Sequence, residues 1–279
     1  MIHRLEELGP FALEKRLAEK PAPVLPLGTI EWHSYHLPLG LDLLKAQAIA
    51  ERTAELAEGV LAPPSWWAAG GVPQPYTLRL SGSVTEPVLT AVLDGFAEMG
   101  FRAICLLNGH YGLENSIAVR RAAMACADAT VIPVADYELL TDLGATGDHA
   151  GVFETALLLP GRPDLVHLEI EGDLPGVIGD DPRSRATPEL GEQALELASS
   201  RAAALLDRAL LEPREPIAGA LAAAVEALEV LWRLRQDLPR EQVPAVTTLT
   251  WIRHLERFRE GDWAEARDAA AAKTADPAS

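Results

Sequence analysis

Cysteine is nearly absent from this 279-residue chain: Cys105 lies in an apolar strand-like run, Cys126 in a helical one, and no Cys-x-x-Cys pair exists. That excludes a disulfide framework, and both thiols are expected as small buried core groups. Basic residues are also scarce. Lys plus Arg number 24 against 41 Asp plus Glu, a formal charge of −17, which argues against a nucleic-acid surface. No uninterrupted apolar run approaches ~18 residues, and the opening Met-Ile-His-Arg-Leu-Glu-Glu lacks a basic segment followed by an apolar run and a cleavage site; a cytoplasmic protein with no membrane partner is expected. Also missing are a Gly-x-Ser-x-Gly elbow, Ser-x-x-Lys, Gly-x-Gly-x-x-Gly and a Walker-A loop. An elbow-serine hydrolase, a dinucleotide enzyme and an NTPase are therefore not expected.

What is present describes a globular chain, 48% hydrophobic and 23% charged, long enough to bury a sizeable core. Apolar runs at 24–30, 60–62, 102–107 and 130–134 read as short buried strands, with a further extended segment at 76–80. Helical patterns cover 10–20, the stretch from Asp42 to Gly59, 85–99, the stretch after Asn115 to about Asp128, 152–159 and 188–211. Alternation of this kind predicts βα units and a largely parallel sheet, whose sites lie beyond the carboxyl ends of the strands. Residues 171–188, rich in Gly, Asp and Pro, read as a long loop. The break Glu212-Pro-Arg-Glu-Pro216 divides a domain over 1–211 from a helical C-terminal extension over 212–279. The extension is expected to pack on the domain or a neighbouring subunit, with Trp232 and Trp251 at a subunit contact. In the loop at 63–71, one of Trp66 and Trp67 suits the core and the other a subunit contact; the functional alternative makes Trp67 an aromatic wall over a substrate pocket.

Three clusters of polar side chains stand at element ends. Glu31, His33, His36 and Asp42 follow the first apolar run, Asn108-Gly109-His110 ends the run at 102–107, and Asp148, His149 and Glu154 surround the start of the helix at 152. If the first strand continues extended, Glu31 and His33, two apart, share a face and could bind one ion or two adjacent ions. Singly, each has an ordinary explanation: Asp42 as a helix cap, Glu154 as a complement to a helix dipole, His110 as part of a turn. Jointly, the clusters hold four of the seven histidines. Imidazole and carboxylate groups without thiolate suit Zn2+, Mn2+ or Fe2+. A shared carboxylate such as Asp42 could bridge two ions, and a water between them would be acidic enough to act as hydroxide near neutral pH.

The order and spacing of these motifs resemble the creatininase (creatinine amidohydrolase) family. The marks are Leu-Pro-x-Gly-x-x-Glu-x-His-x-x-His-Leu-Pro-Leu-Gly-x-Asp at 25–42, Asn-Gly-His at 108–110, His-Ala-Gly-x-x-Glu-Thr at 149–155 and Ala-Thr-Pro-Glu-Leu-Gly at 186–191. The resemblance implies an α/β three-layer sandwich with a mostly parallel sheet, a homo-oligomer, hexameric in the family, and two divalent metal ions per subunit, Zn2+ or Mn2+ or both, with Fe2+ a further option. It implies Glu31, His33, Asp42, His110 and Glu154 as metal ligands, Asp42 as the bridge, and His149 with Glu154 for proton transfer. A family ligand position falls on Gly112 here, which leaves Glu114 as a substitute, and His36 is implied either behind the ligands or facing substrate. Trp32 and Tyr35, where the family usually has Gln and Pro, and Tyr111, where Gly is common, are expected at the substrate pocket. The activity implied is hydrolysis of a C–N bond in a small or cyclic amide, a formamide or a short peptide. The family also acts on ring ketones of polyols, the second expectation; a metal-stabilised scaffold subunit without turnover is the third.

Overall fold

The segments Pro-Val-Leu-Pro-Leu, Ala-Ile-Cys-Leu-Leu-Asn and Thr-Val-Ile-Pro-Val-Ala are buried along their whole length, the pattern demanded by a parallel sheet covered on both faces. The computed structural model describes residues 2–239 and 242–279. Among these, five strands form one sheet: β1 (His3–Arg4), β2 (Pro23–Leu27), β3 (Val60–Leu61), β4 (Ala103–Asn108) and β5 (Thr130–Ala135). All pairs are parallel, in the order β1-β3-β2-β4-β5, with Leu27 level with Asn108 and Asn108 with Ala135. The helices are α1 (Pro10–Glu19), α2 (Leu41–Leu56), α3 (Gly82–Glu98), α4 (Leu113–Ala125), α5 (Val152–Leu158), α6 (Pro182–Arg185), α7 (Pro188–Leu211), α8 (Arg214–Asp237), α9 (Leu249–Glu260) and α10 (Trp263–Ala275). One group, α2, α5 and α7, packs together, as does a second of α3, α4 and α8, and the two groups sandwich the sheet.

Some element limits differ from the sequence reading. Strand β2 ends at Leu27 rather than 30, and α3 begins a turn before Thr85. The segment at 76–80 joins no strand but makes an isolated bridge, Gly70 to Leu80, and its Leu78 N–H donates to the Ile30 carbonyl (2.8 Å). Cys105 and Cys126 are free and buried as expected. No helix among the described residues is long and apolar enough to cross a membrane.

The helices after 212 share the main core. Ile217, Leu221, Leu228 and Leu231 of α8 are buried in the same cluster as the strands. Arg214 donates to the carbonyls of Met124 (2.9 Å) and Cys126 (2.6 Å), placing a cation at the negative end of α4. Trp251 corrects one expectation: it is 1% exposed within a single chain, so no subunit contact is needed to bury it. Its ring lies 4.8 Å from that of His254 and 5.9 Å from the Arg120 guanidinium.

His254 carries a stability prediction. Burial pushes its pKa down to about 4, and its Nδ1–H donates to the Ala266 carbonyl at 2.8 Å. The folded protein therefore resists protonating a ring that the unfolded chain protonates near pH 6.5. Stability is full above pH 6.5 and falls as pH drops towards 4, by about 3 kcal/mol from this group. Urea midpoints measured from pH 7 to 4 are expected to fall less steeply in His254→Gln.

Candidate metal centre and active site

The ends of β2 and β4 close on the first turn of α2, and two glycines make that approach possible. A Cβ on Gly28 would stand 2.4 Å from the Leu43 nitrogen, and one on Gly109 would stand 2.0 Å from the Asp42 carbonyl oxygen. Asp42 sits at the second position of α2 and makes no side-chain cap, so its carboxylate is free to turn towards the strand ends. The chain leaves β2 before Glu31, and a turn at Ser34, with φ of 61°, brings His33 back. Glu31 and His33 thus lie on an irregular segment between β2 and the turn at Ser34, not on a continuation of the strand, which corrects the extended reading. His33 Nδ1 donates to the Glu31 carbonyl (3.1 Å), which aims Nε2 at Asp42 Oδ1, 3.1 Å away. On the opposite side, His110 Nδ1 lies 3.1 Å from Asp42 Oδ2 and 3.0 Å from Glu31 Oε2.

The Asn-Gly-His turn is held by amides. Asn108 Nδ2 donates to the His110 carbonyl (2.6 Å), and Asn115 Nδ2 donates to Asn108 Oδ1 (2.9 Å). Glu31 is oriented by the Val72 N–H, which donates to Oε1 at 2.6 Å. From the start of α5, Glu154 places Oε2 3.6 Å from His33 Nε2. The His149 ring stacks on His33 with centroids 4.4 Å apart, and its Nε2 lies 2.9 Å from the Trp32 carbonyl.

Charge in this cluster is organised around Asp42. Burial disfavours the protonated His33 ring, but Asp42 and then Glu154 outweigh it and raise its pKa to about 9. His110 is also buried, and the adjoining carboxylates of Asp42 and Glu31 outweigh burial and raise its pKa to about 10. In return, and against their own burial, the carboxyl of Asp42 is lowered mainly by His33 and that of Glu31 mainly by His110. For His149, burial outweighs the pull of Glu154 and lowers its pKa. Asp148 is pushed up to about 7 by burial and by the charge of Glu154.

Among the described residues, His33 Nε2 and Asp42 Oδ2 are buried and close no hydrogen bond, although a partner atom stands 3.1 Å from each. Three sets have ligand atoms within 4.8 Å of one another: Glu31, Asp42 and His110; His33, Asp42 and Glu154; and Glu31, His33 and His149. Nitrogen and oxygen donors in such sets fit a borderline divalent ion.

Several residues named from the sequence lie elsewhere. His36 is buried behind the cluster, its Nε2 3.2 Å from Thr155 Oγ1 and its pKa lowered to about 4 by burial. Of its two expected positions, the one facing substrate does not hold. Glu114 is not in the cluster, because its Oε1 accepts the Gly82 N–H (2.6 Å) at the start of α3. Tyr35 and Trp67 are 61% and 49% exposed, and Trp32 meets Tyr35 edge-on and stacks on the exposed Tyr76. None of these three lines the cavity over the cluster among the described residues, whereas Tyr111 does.

Sequence reasoning passed over Lys45. It is fully buried, with Nζ 2.8 Å from Glu154 Oε1 and 3.0 Å from Asp136 Oδ2, and it donates to the Tyr111 hydroxyl, which donates to Asp136. Burial opposes its charge, but Asp136 and Glu154 outweigh burial and hold the ammonium protonated. Its place three residues after Asp42, one helical turn on and on the same face, was the available signal.

A sequence model of the creatininase family, described as creatinine amidohydrolase, matches residues 6–206. The chain belongs to the creatininase family. A creatinine amidohydrolase of Pseudomonas putida is 29% identical over 180 residues, 54% of this chain and 68% of that one. A mycofactocin precursor peptide peptidase of Mycobacterium ulcerans is 30% identical over 174 residues, 58% and 67% of the two chains. A 3-dehydro-scyllo-inosose hydrolase of Thermotoga maritima is 27% identical over 152 residues, 52% and 49%. A crystal structure of creatininase matches with a TM-score of 0.63 at 25% identity, covering 74% of this chain and 97% of that one. Two other creatininase structures, 24% and 23% identical, also with TM-scores of 0.63 and each covering 75% of this chain and 99% of theirs, are a manganese and a zinc–zinc form. Membership of the creatininase family makes this chain a metal-dependent amidohydrolase. The family match stops before α8.

Proposed function

We propose that the chain holds two divalent ions, Zn2+ or Mn2+, on either side of Asp42 and hydrolyses a C–N bond of a small or cyclic amide, a formamide or a short peptide. The observation that carries this is the division of the Asp42 carboxylate: Oδ1 faces His33 while Oδ2 faces His110. One ion would be held by Glu31, Asp42 and His110 and the other by His33, Asp42 and Glu154. Ions so held polarise a carbonyl oxygen and lower the pKa of water.

The remaining chemistry falls to side chains. His149, kept neutral by burial, donates Nε2–H to the Trp32 carbonyl and so presents Nδ1 as the base that takes a proton and returns it to the leaving nitrogen. Glu154 has both oxygens committed, Oε1 to Lys45 and Oε2 to the Ala150 N–H at 2.7 Å. We therefore assign it to holding a cation and give proton transfer to His149 alone. Protein stripped of metal and reconstituted with zinc or manganese is expected to retain about two ions per chain by mass spectrometry and to turn over a member of a panel of cyclic amides, formamides and short peptides. Less than one ion per chain would defeat the reading.

A second reading, opening of a polyol ring ketone, draws support from the inosose hydrolase relative. The apolar side chains of Trp232 and Val246 that line the cavity over the cluster favour an amide over a polyol ring, and ring ketones in the same panel separate the two.

A further inference from the structure

The cavity over the cluster has a volume of about 970 Å3, near the top of the ~300–1,000 Å3 range that encloses drug-sized ligands. Its floor is Glu31, Asp42, His110 and Glu154. Its far side is built from residues beyond the family match: Leu228, Trp232 and Arg235 of α8, Val246 of the following segment, and Trp251 of α9, with the apolar surface supplied mainly by Trp232 and Val246 because Leu228 and Trp251 are almost wholly buried. We propose that the C-terminal helices are part of the substrate site, closing the cavity with an aliphatic and indole wall that selects amides bearing a bulky apolar group, such as short peptides, over rings the size of creatinine. The inference rests on the metal-centre reading above.

The wall is fixed in place from two directions. Lys273 of α10, itself fully buried, donates to the Ala245 carbonyl (3.1 Å), to Thr248 Oγ1 (2.9 Å) and to the Pro277 carbonyl, which pins the segment carrying Val246. Thr247 Oγ1 then donates to the Thr146 carbonyl (2.8 Å), tying that segment to the loop that carries Asp148 and His149. That loop is paired on its other side with Ile178, through His149 N–H to the Ile178 carbonyl (3.0 Å) and the reciprocal bond (2.9 Å). The extension therefore touches the loop of the proposed base as well as the space a substrate would fill. Trp232 is half-buried, so part of its indole remains to be covered by a ligand, and apolar contact of this kind discriminates by size and hydrophobicity.

Two hydroxamates test this on zinc-loaded, full-length protein by titration calorimetry. Acetohydroxamate probes the ions alone; N-acetylphenylalanine hydroxamate adds a bulky apolar group. Wild type is expected to bind the larger probe at least ~10-fold more tightly. That ratio is expected to fall about 10-fold in Trp232→Ala and again in Val246→Asp, two changes on separate elements, so misfolding of one does not decide the outcome. A wild-type ratio near one, or a ratio unmoved in both variants, overturns the inference and leaves the metal centre standing. Failure of both probes to bind overturns the metal centre and the inference with it.

Discussion

Asp42→Asn is expected to lower kcat/KM on the order of 1,000-fold, about 4 kcal/mol of transition-state stabilisation, and to reduce metal content below that of wild type. The change keeps the side chain's shape but weakens both its contacts at once, towards His33 and towards His110. A protonic counterpart belongs to the same prediction. With pKa values raised to about 9 and 10, His33 and His110 hold protons at neutral pH where the proposed ions would sit. Zinc uptake at pH 7 is therefore expected to release about two protons per chain, measurable by calorimetry in buffers of different ionisation enthalpy. Because both pKa values are raised on folding, their stabilisation of the metal-free protein is complete below about pH 6.5 and is lost as pH rises through 9 and 10. Zinc-loaded protein should not show that alkaline loss.

Lys45→Met is expected to destabilise the fold by about 3–5 kcal/mol, because it strands two buried carboxylates, Asp136 and Glu154, without their shared cation. Burial already raises the Asp136 pKa against the opposing pull of Lys45 and Tyr111. Adding Asp136→Asn to Lys45→Met should recover part of the loss, and urea unfolding of the single and double variants closes the cycle. Equal stability of wild type and Lys45→Met would mean that the ammonium contributes nothing net.

The clustering was legible in the sequence because the ligand types are rare and crowd the ends of apolar runs, as Glu31, His33 and Asp42 do. The parallel sheet followed from alternation of runs such as 102–107 with helical patterns. Geometry inside the first cluster was not legible: the sharp exit from β2 depends on Gly28 lying against the backbone of Leu43, a contact between residues that no local pattern connects. Trp32 and Tyr35 were misplaced because they pack on each other, and Trp32 on Tyr76, outside the cavity, a contact across some forty residues. Lys45 was masked by its setting in an apolar helical pattern, where a lone lysine reads as a solvent-facing side chain. The far wall of the cavity was hidden by distance, because Val246 and Asp42 meet across one space although some two hundred residues separate them.

The anchoring of that wall by Lys273 also fixes an order of events during synthesis. The proposed metal ligands have all emerged once Glu154 is made, whereas the lysine that pins the wall follows 119 residues later (273 minus 154). At ~5–20 residues per second, translation leaves roughly 6–24 s in which the ligand set exists and its roof does not. A nascent chain thus carries every proposed ligand before it carries the helix, α10, that pins the proposed wall.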